Sequence, residues 1–275
     1  MALLHLLANT PSLDLVVAHF DHGIRTDSAE DRVFVQKMAA KYNLPFVFAE
    51  AKLGPNTSEA TARHARYDFL RQAKQQHQAE AIVTAHHQDD VLETAILNLS
   101  RGTGRRGLTS LADLPELRRP LLHISKKQLV VYANKANLKW CEDSTNANQK
   151  YLRNYIRHTI VPLFSSAQRQ QFLIYIEKLR VINNKLDNEL ALSFKSLTDD
   201  NQLTRKPLNL LPPEVIKELL THWWRINGFF NYESKTLNRA VHDLCSGKTG
   251  AIIPLKGNYR MVINKQCLAL QNKER

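Results

Sequence analysis

The stretch AIVTAHHQDDVLETAILNL, Ala81–Leu99, joins two different periodicities across a polar hinge. Ala81–Ala85 is a short apolar run with branched Ile82, Val83 and Thr84, the pattern of a buried strand. Beyond the hinge, Leu92, Ala95, Ile96 and Leu99 recur three and four residues apart, which predicts a helix over Asp89–Leu99 with those residues inward. A strand that runs straight into a helix implies parallel neighbours, because the chain must cross back over the sheet. The preceding residues repeat the unit. Leu13–Phe20 reads as a strand and Ser28–Tyr42 as a helix, with Ser28 and Asp31 placed as a capping pair. Phe46–Ala49, after Pro45, reads as a second strand, and Ser58–Gln76 as a helix with Ala62, Ala65, Phe69 and Ala73 on one face. The fold class expected is therefore α/β, a parallel sheet with helices on both faces. Met1–Leu7 reads as the tail of an apolar helix with no strand before it. The strand–loop–helix junction that such a helix normally follows is where these folds bind phosphates, so the chain is expected to be cut short at that corner.

The pattern changes after Pro162. Gln168–Phe194 is a long amphipathic helical stretch and Lys195–Pro207 is polar, with the look of a linker. Leu208–Leu270 then predicts helices at Pro213–Trp224 and Ser234–Cys245 and strands at Ala251–Pro254, Tyr259–Ile263 and Cys267–Leu270. The expected organisation is a parallel α/β domain over 1–164, a helical linker over 165–207 and a small α+β domain over 208–275. Ser246–Gly250 (SGKTG) resembles the end of a phosphate loop, but it lacks the first glycine and lies between a helix and a strand, so it reads as a turn.

Composition narrows the function classes. A 43% hydrophobic, 23% charged chain is ordinary for a globular protein, and no apolar run approaches the roughly 18–20 residues of a membrane span. The opening Met-Ala-Leu-Leu-His lacks the basic start of a secretory signal; a cytoplasmic location is expected. Cys141, Cys245 and Cys267 are an odd number with no C-x-x-C, against a disulfide framework or a thiolate metal site. The net charge of +12 is uneven: −3 over residues 1–100, +8 over 101–164 and +7 over 165–275. A basic surface beside an acidic cleft suits a polyanionic substrate such as RNA.

Several motifs carry chemistry. His19-Phe20-Asp21-His22-Gly23-Ile24-Arg25 ends a strand, at the edge where parallel sheets bind ligands. His86-His87-Gln88-Asp89-Asp90 and Glu93 do the same one strand later. Asp90 and Glu93, three apart, share a helix face and converge on one cation, either magnesium or a substrate ammonium. Complementing a helix dipole accounts for one such acid, but not for two histidines and three carboxylates in eight residues. Arg101-Gly102-Thr103-Gly104-Arg105-Arg106-Gly107 matches G-x-G-x-x-G but follows a helix, so it reads as a basic loop near phosphates rather than a dinucleotide fingerprint. Arg63 and Arg66 on one helix, and Arg153 and Arg157 later, have the density of phosphate clamps.

In order, His19–Arg25, Glu59–Tyr67, His86–Thr94, Arg101–Leu108, Arg119–Leu122, Asp143–Asn146 and Arg153–Arg157 resemble the tRNA(Ile)-lysidine synthetase family of PP-loop (N-type) ATP pyrophosphatases, over about residues 1–165. The resemblance implies an adenine nucleotide alpha hydrolase-like fold and a Ser-Gly-Gly-x-Asp-Ser loop just before Met1. It also implies a further C-terminal domain after Arg275 and a homodimer, and Leu208–Leu270 is similar to the family's tRNA-binding domain. The implied reaction uses ATP to adenylate C2 of the wobble cytidine of tRNA(Ile) with a CAU anticodon; free L-lysine then displaces AMP to give lysidine. On this resemblance Asp90, Glu93, His86 and Asp89 are catalytic, and Asp90 and Glu93 hold the lysine amine. Asp21, His22, Arg25, His86 and Arg105 face ATP, and Arg63, Arg66, Arg106, Arg153 and Arg157 face tRNA. Asp89 and Asp90 would hold Mg2+. The tRNA thiolases share the loop, but their cysteine pairs are absent here. Two other readings stay open: a metal-dependent phosphohydrolase using His22, His86 and Asp89, and a non-catalytic tRNA-binding remnant.

Overall fold

The computed structural model describes residues 1–23, 28–54, 57–141, 152–199, 202–229, 232–255 and 259–272. They form two compact units, Met1–Glu177 and Lys178–Arg275.

In the first unit, α1 (Ala2–Ala8), β1 (Val17–Asp21), α2 (Ser28–Lys41), β2 (Phe46–Glu50), α3 (Glu59–Gln76), β3 (Ile82–Val83) and α4 (Gln88–Ser100) alternate as the hydrophobic pattern requires. β1 pairs with β2 in parallel, from Val17 opposite Phe46 to Asp21 opposite Glu50. β3 pairs in parallel with β4 (Leu117–Arg118), reached through α4 and the short helix α5 (Arg105–Leu108). Local chemistry sets the helix starts. Ser58 Oγ accepts from the Thr61 amide at 3.1 Å at the head of α3. Ser125 and Gln128 form a reciprocal capping box at the head of α6 (Lys126–Lys135), satisfying amides that the helix itself leaves unpaired.

The centre of this unit is α4, which buries two faces. Val91 and Ala95 pack with Leu111, Leu122 and Ile176. Leu97 packs on the other side with Ile156 and Val161, residues of the π-helical turn Ile156–Ile160 and 3-10 turn Val161–Leu163 that follow α7 (Leu152–Tyr155). Leu99, expected inward, is 56% exposed. It lies a turn beyond Ala95, where that face of α4 has run past the core.

The second unit takes in the end of α8 (Ser166–Leu197), whose Leu190 and Phe194 enter its core. Its antiparallel sheet has the order β5 (Thr198–Asp199), β6 (Gln202–Thr204), β9 (Cys267–Asn272), β8 (Tyr259–Ile263), β7 (Ala251–Pro254). Among its helices, α9 (Arg205–Leu208) follows β6, and α10 (Pro213–Ile226) and α11 (Ser234–Cys245) bring Trp223, Trp224, Leu220 and Leu244, all 0% exposed, into one core. The expected linker is thus partly structural: Leu203, 0% exposed, pairs with Leu268 of β9, also 0% exposed. The strand is too short for its alternation to register against polar neighbours, and burial of one leucine defines it. No helix among the described residues is long and apolar enough to cross a membrane.

If Leu203 belongs to this core, Leu203→Ala lowers the unfolding free energy by about 2–5 kcal/mol, the range for a truncated buried leucine. Gln202→Ala, on the exposed side of the same strand, changes it by less than about 0.5 kcal/mol. Denaturant unfolding followed by tryptophan fluorescence measures both.

Candidate active site

Two strand ends supply the polar groups of the first unit. β1 closes on Asp21, 3% exposed, whose Oδ1 accepts the Gly23 amide at 2.8 Å. Gly23 has φ +62°, and a Cβ there would stand 2.1 Å from the Ala51 carbonyl oxygen. Only glycine therefore lets the loop after β1 lie against the end of β2. His22 is half-buried, its ring edge-on to Phe20 with centroids 4.9 Å apart. Arg25 and Asp143–Asn146, both singled out in the sequence, lie outside the described residues.

After β3 the chain presents His86, whose Nδ1 is 2.8 Å from Thr84 Oγ1. Burial pushes its pKa down to about 4, and Arg119, Arg63 and Arg66 add to the effect against the opposing pull of Asp90. His86 is therefore a neutral imidazole at physiological pH, able to donate at one nitrogen and accept at the other. The arginines around it are themselves held: the Arg63 and Arg66 guanidinium carbons lie 4.7 and 5.5 Å from the Tyr67 ring centroid. Arg119 is 5% exposed. Its Nη1 donates to the Ala112 carbonyl and its backbone amide to Asp113 Oδ1 at 2.5 Å. Among the described residues its Nε has no partner.

The first turns of α4 carry the carboxylates. Asp90 Oδ2 accepts the His87 amide at 2.9 Å, which fixes the acid at the helix head. Its Oδ1 faces Arg153 Nη2 at 3.3 Å and Arg157 Nη2 at 3.6 Å. Glu93, 2% exposed, accepts two bonds from Arg157, Nε to Oε1 at 2.6 Å and Nη2 to Oε2 at 2.8 Å, and one from Arg153 Nε at 3.1 Å. The hydrogen bond to Glu93 raises the Arg157 pKa further. Arg153 also reaches Glu59 at the head of α3, at 3.5 Å. Two buried acids and two arginines thus form a nearly neutral, bidentate cluster. Asp89 lies at its border: its Oδ2 accepts the Lys126 amide at 2.7 Å at the head of α6, and the His87 ring lies 3.5 Å from both Asp89 Oδ2 and Asp90 Oδ2.

As these atoms stand, Asp89 and Asp90 do not fit a dedicated magnesium site, because Asp89 Oδ2 and both Asp90 oxygens already serve protein donors. Among the described residues no three His, Cys, Asp or Glu side chains could hold a metal ion. The basic loop is close-packed: Asn98 Nδ2 donates to the Gly107 carbonyl at 2.8 Å, and a Cβ on Gly107 would lie 1.8 Å from Thr103 Oγ1. Arg105 and Arg106 are half-buried on α5. Sequence reading picked out Asp90, Glu93, Arg153 and Arg157 but not their mutual pairing across 60 to 64 positions. It noted Glu59 and Arg119 within motifs and gave neither a role at this edge.

The PP-loop domain model matches residues 1–164. The tRNA(Ile)-lysidine synthase of Thermotoga maritima is 40% identical over 173 residues, 59% of this chain and 42% of that protein. The enzyme of that name from Coxiella burnetii is 31% identical over 258 residues, 88% of this chain and 56% of its own. That of Legionella pneumophila strain Lens is 30% identical over 272 residues, 94% and 63%. The chain therefore spans between two-fifths and just under two-thirds of the length of these relatives. Among solved structures, the U34-tRNA thiolase NcsA from Methanococcus maripaludis with its [4Fe-4S] cluster aligns with TM-score 0.50 at 15% identity, over 65% of this chain and 67% of that one. This last likeness concerns the fold alone.

The His86 environment makes a pH prediction. Its folded pKa of about 4 lies below the ordinary 6.5, so the unfolded chain takes up the proton first as pH falls. The associated stability is complete above about pH 6.5 and is lost progressively towards pH 4. Melting temperatures of the wild type and His86→Gln, measured from pH 7.5 to 4.5, should converge as the pH drops. Equal slopes in the two proteins would contradict the assignment. Separately, Arg157→Ala leaves Glu93 with Arg153 alone and should cost roughly 2 kcal/mol, below the ~3–5 expected when a buried charge loses every partner. Adding Glu93→Gln should return part of that loss in denaturant unfolding.

Proposed function

The chain belongs to the PP-loop domain family, and from that premise we propose that it serves the ATP-dependent ligation of L-lysine to C2 of the wobble cytidine of tRNA(Ile) with a CAU anticodon. The observation that carries the reading is the pair of buried carboxylates Asp90 and Glu93 at the edge of a parallel strand, beside a neutral histidine and a belt of arginines. The similarity to the tRNA(Ile)-lysidine synthases supports the substrate assignment.

In the first step the C2 oxygen of the cytidine attacks the α-phosphorus of ATP, and pyrophosphate leaves. In the second, the lysine ε-amine attacks C2, the C2–O bond breaks and AMP departs with the oxygen. The amine must be neutral to attack, although lysine arrives protonated. Asp90 and Glu93 suit both requirements, because they attract the ammonium and one of them takes its proton. In this chain the place is held by guanidinium groups, so an entering ammonium exchanges with Arg153 or Arg157. The displaced arginine becomes available to phosphate oxygens, of ATP or of tRNA, without a net change in local charge. His86, uncharged, is suited to hydrogen-bond the nucleotide without repelling its neighbouring arginines. Asp21 and His22 form the adjoining edge. Arg105 completes the ATP contacts, with Arg63, Arg66 and Arg106 on the tRNA side. Asp89 acts through its cap on α6, as a positioning residue. Magnesium enters the proposal as a counter-ion accompanying the nucleotide phosphates, with no step assigned to it.

The test combines the purified chain with ATP, radiolabelled lysine and a tRNA(Ile) transcript bearing CAU. ATP-dependent transfer of label to the transcript is expected. Asp90→Asn should lower it about 100-fold or more, the scale of a lost general base, while circular dichroism and tRNA binding are retained. Salt-sensitive tRNA binding by the wild type with no lysine incorporated would instead give the chain a binding role only.

A further inference from the structure

The buried acids of the first unit hold their two arginines unequally. Arg157 binds Glu93 through both nitrogens of one guanidinium edge, at 2.6 and 2.8 Å. Its neighbour Ile156 is 2% exposed and packs with Leu97 and Val161, which anchors the backbone there in the core. Arg153 is held more loosely. Its Nε–Nη2 edge spans two acids, Glu93 at 3.1 Å and Asp90 at 3.3 Å, and its Nη1 faces a third, Glu59, at 3.5 Å. Short bidentate pairs hold better than single, longer contacts. An entering ammonium therefore displaces Arg153 and leaves Arg157 in place.

Glu59 is placed to keep hold of the displaced guanidinium. It is the first residue of α3, where the helix dipole favours a carboxylate. Its side chain is 53% exposed, against 12% for Asp90 and 2% for Glu93, so it is the acid of the three that can follow Arg153 outward. A guanidinium is a flat fork with more than one usable edge. Held at Nη1 by Glu59, Arg153 has only to turn its other edge away from Asp90 and Glu93, and that edge then serves a phosphate oxygen. Without Glu59 the same displacement strips Arg153 of every acid beside it among the described residues. An arginine cannot shed its proton to escape that cost.

We propose that Glu59 is a positioning residue of the lysine site: it retains Arg153 while a substrate ammonium sits beside Asp90 and Glu93, and Arg157 stays bound. The inference rests on the reading of those two acids as the lysine site. It adds a selection step to that reading. The protein's own cation closes the site, and only a ligand whose side chain carries a positive charge opens it.

The experiment follows the Nε–H signals of 15N-labelled arginine in the full chain, with ATP present, as L-lysine or L-norleucine is added. Arg153→Lys and Arg157→Lys assign the two signals. L-Lysine should move the Arg153 signal much further than that of Arg157; L-norleucine, which lacks the ε-amine, should move neither. Glu59→Gln should weaken lysine binding about two- to fivefold, the scale of a half-exposed ion pair. In the transfer assay it should raise the KM for lysine more than it lowers kcat, with the KM for ATP held. Glu59→Asp, which keeps the charge, should recover most of the lysine affinity. A Glu59 that only braces Arg153 in the ligand-free protein gives the opposite sign, because its loss eases displacement and lysine binds as well or better. That result, or an Arg157 signal that moves as far as that of Arg153, overturns the proposal and leaves the lysine site standing. If lysine moves neither signal, Asp90 and Glu93 are not its site, and the reading and the proposal fall together.

Discussion

Two acids inside a protein must be neutralised, and in the first unit that requirement joins distant parts of the chain. Asp90 and Glu93 begin α4, while Arg153 and Arg157 arrive some 60 residues later on α7 and the π-helical turn after it. Arg153 extends the link to Glu59 at the head of α3. The hydrophobic contacts agree with it: Leu97 on α4 packs with Ile156 and Val161 from the same later segment. Apolar burial supplies the affinity between these elements, and the bidentate pairing sets their register, since the carboxylates tolerate little displacement without losing partners.

The same cluster explains why a neutral histidine sits beside so many arginines. His86 lies close to Asp90, which would favour its charged form, yet burial and three guanidinium groups outweigh that influence. An edge built this way presents fixed positive groups and uncharged hydrogen-bonding groups together, a combination suited to polyphosphate.

The second unit follows a different logic. Its core is apolar and tightly enclosed, with Trp223, Trp224, Leu203 and Leu268 fully buried, and its sheet is antiparallel with local connections from β7 to β9. Arg205 and Asp243 are buried charges of this unit, and Asp243 is paired with Lys248 at 2.8 Å. Among the described residues Arg205 Nη1 is held by two neutral acceptors, Thr249 Oγ1 and the Asn264 carbonyl.

Much of this was legible without coordinates. The alternation of short branched runs with helical spacing determined the parallel α/β character, the order of elements to α4, and the placing of Asp21, His86, Asp90 and Glu93 at strand ends, because periodicity and end position are local properties. Gly23 was visible as a residue but not as a necessity; only the nearness of the Ala51 carbonyl makes it one. Strand β6 escaped notice because two or three residues carry too little pattern. The tertiary structure alone decided which charges meet. Sequence spacing brought Asp90 and Glu93 together on one helix, but it could not show that Arg153 and Arg157 cover them, that Asp89 also holds the head of α6, or that Arg205 is buried with no acid beside it among the described residues. Pairing across tens of residues depends on how the elements pack, and a charge acquires its partner, its pKa and its chemical use only there.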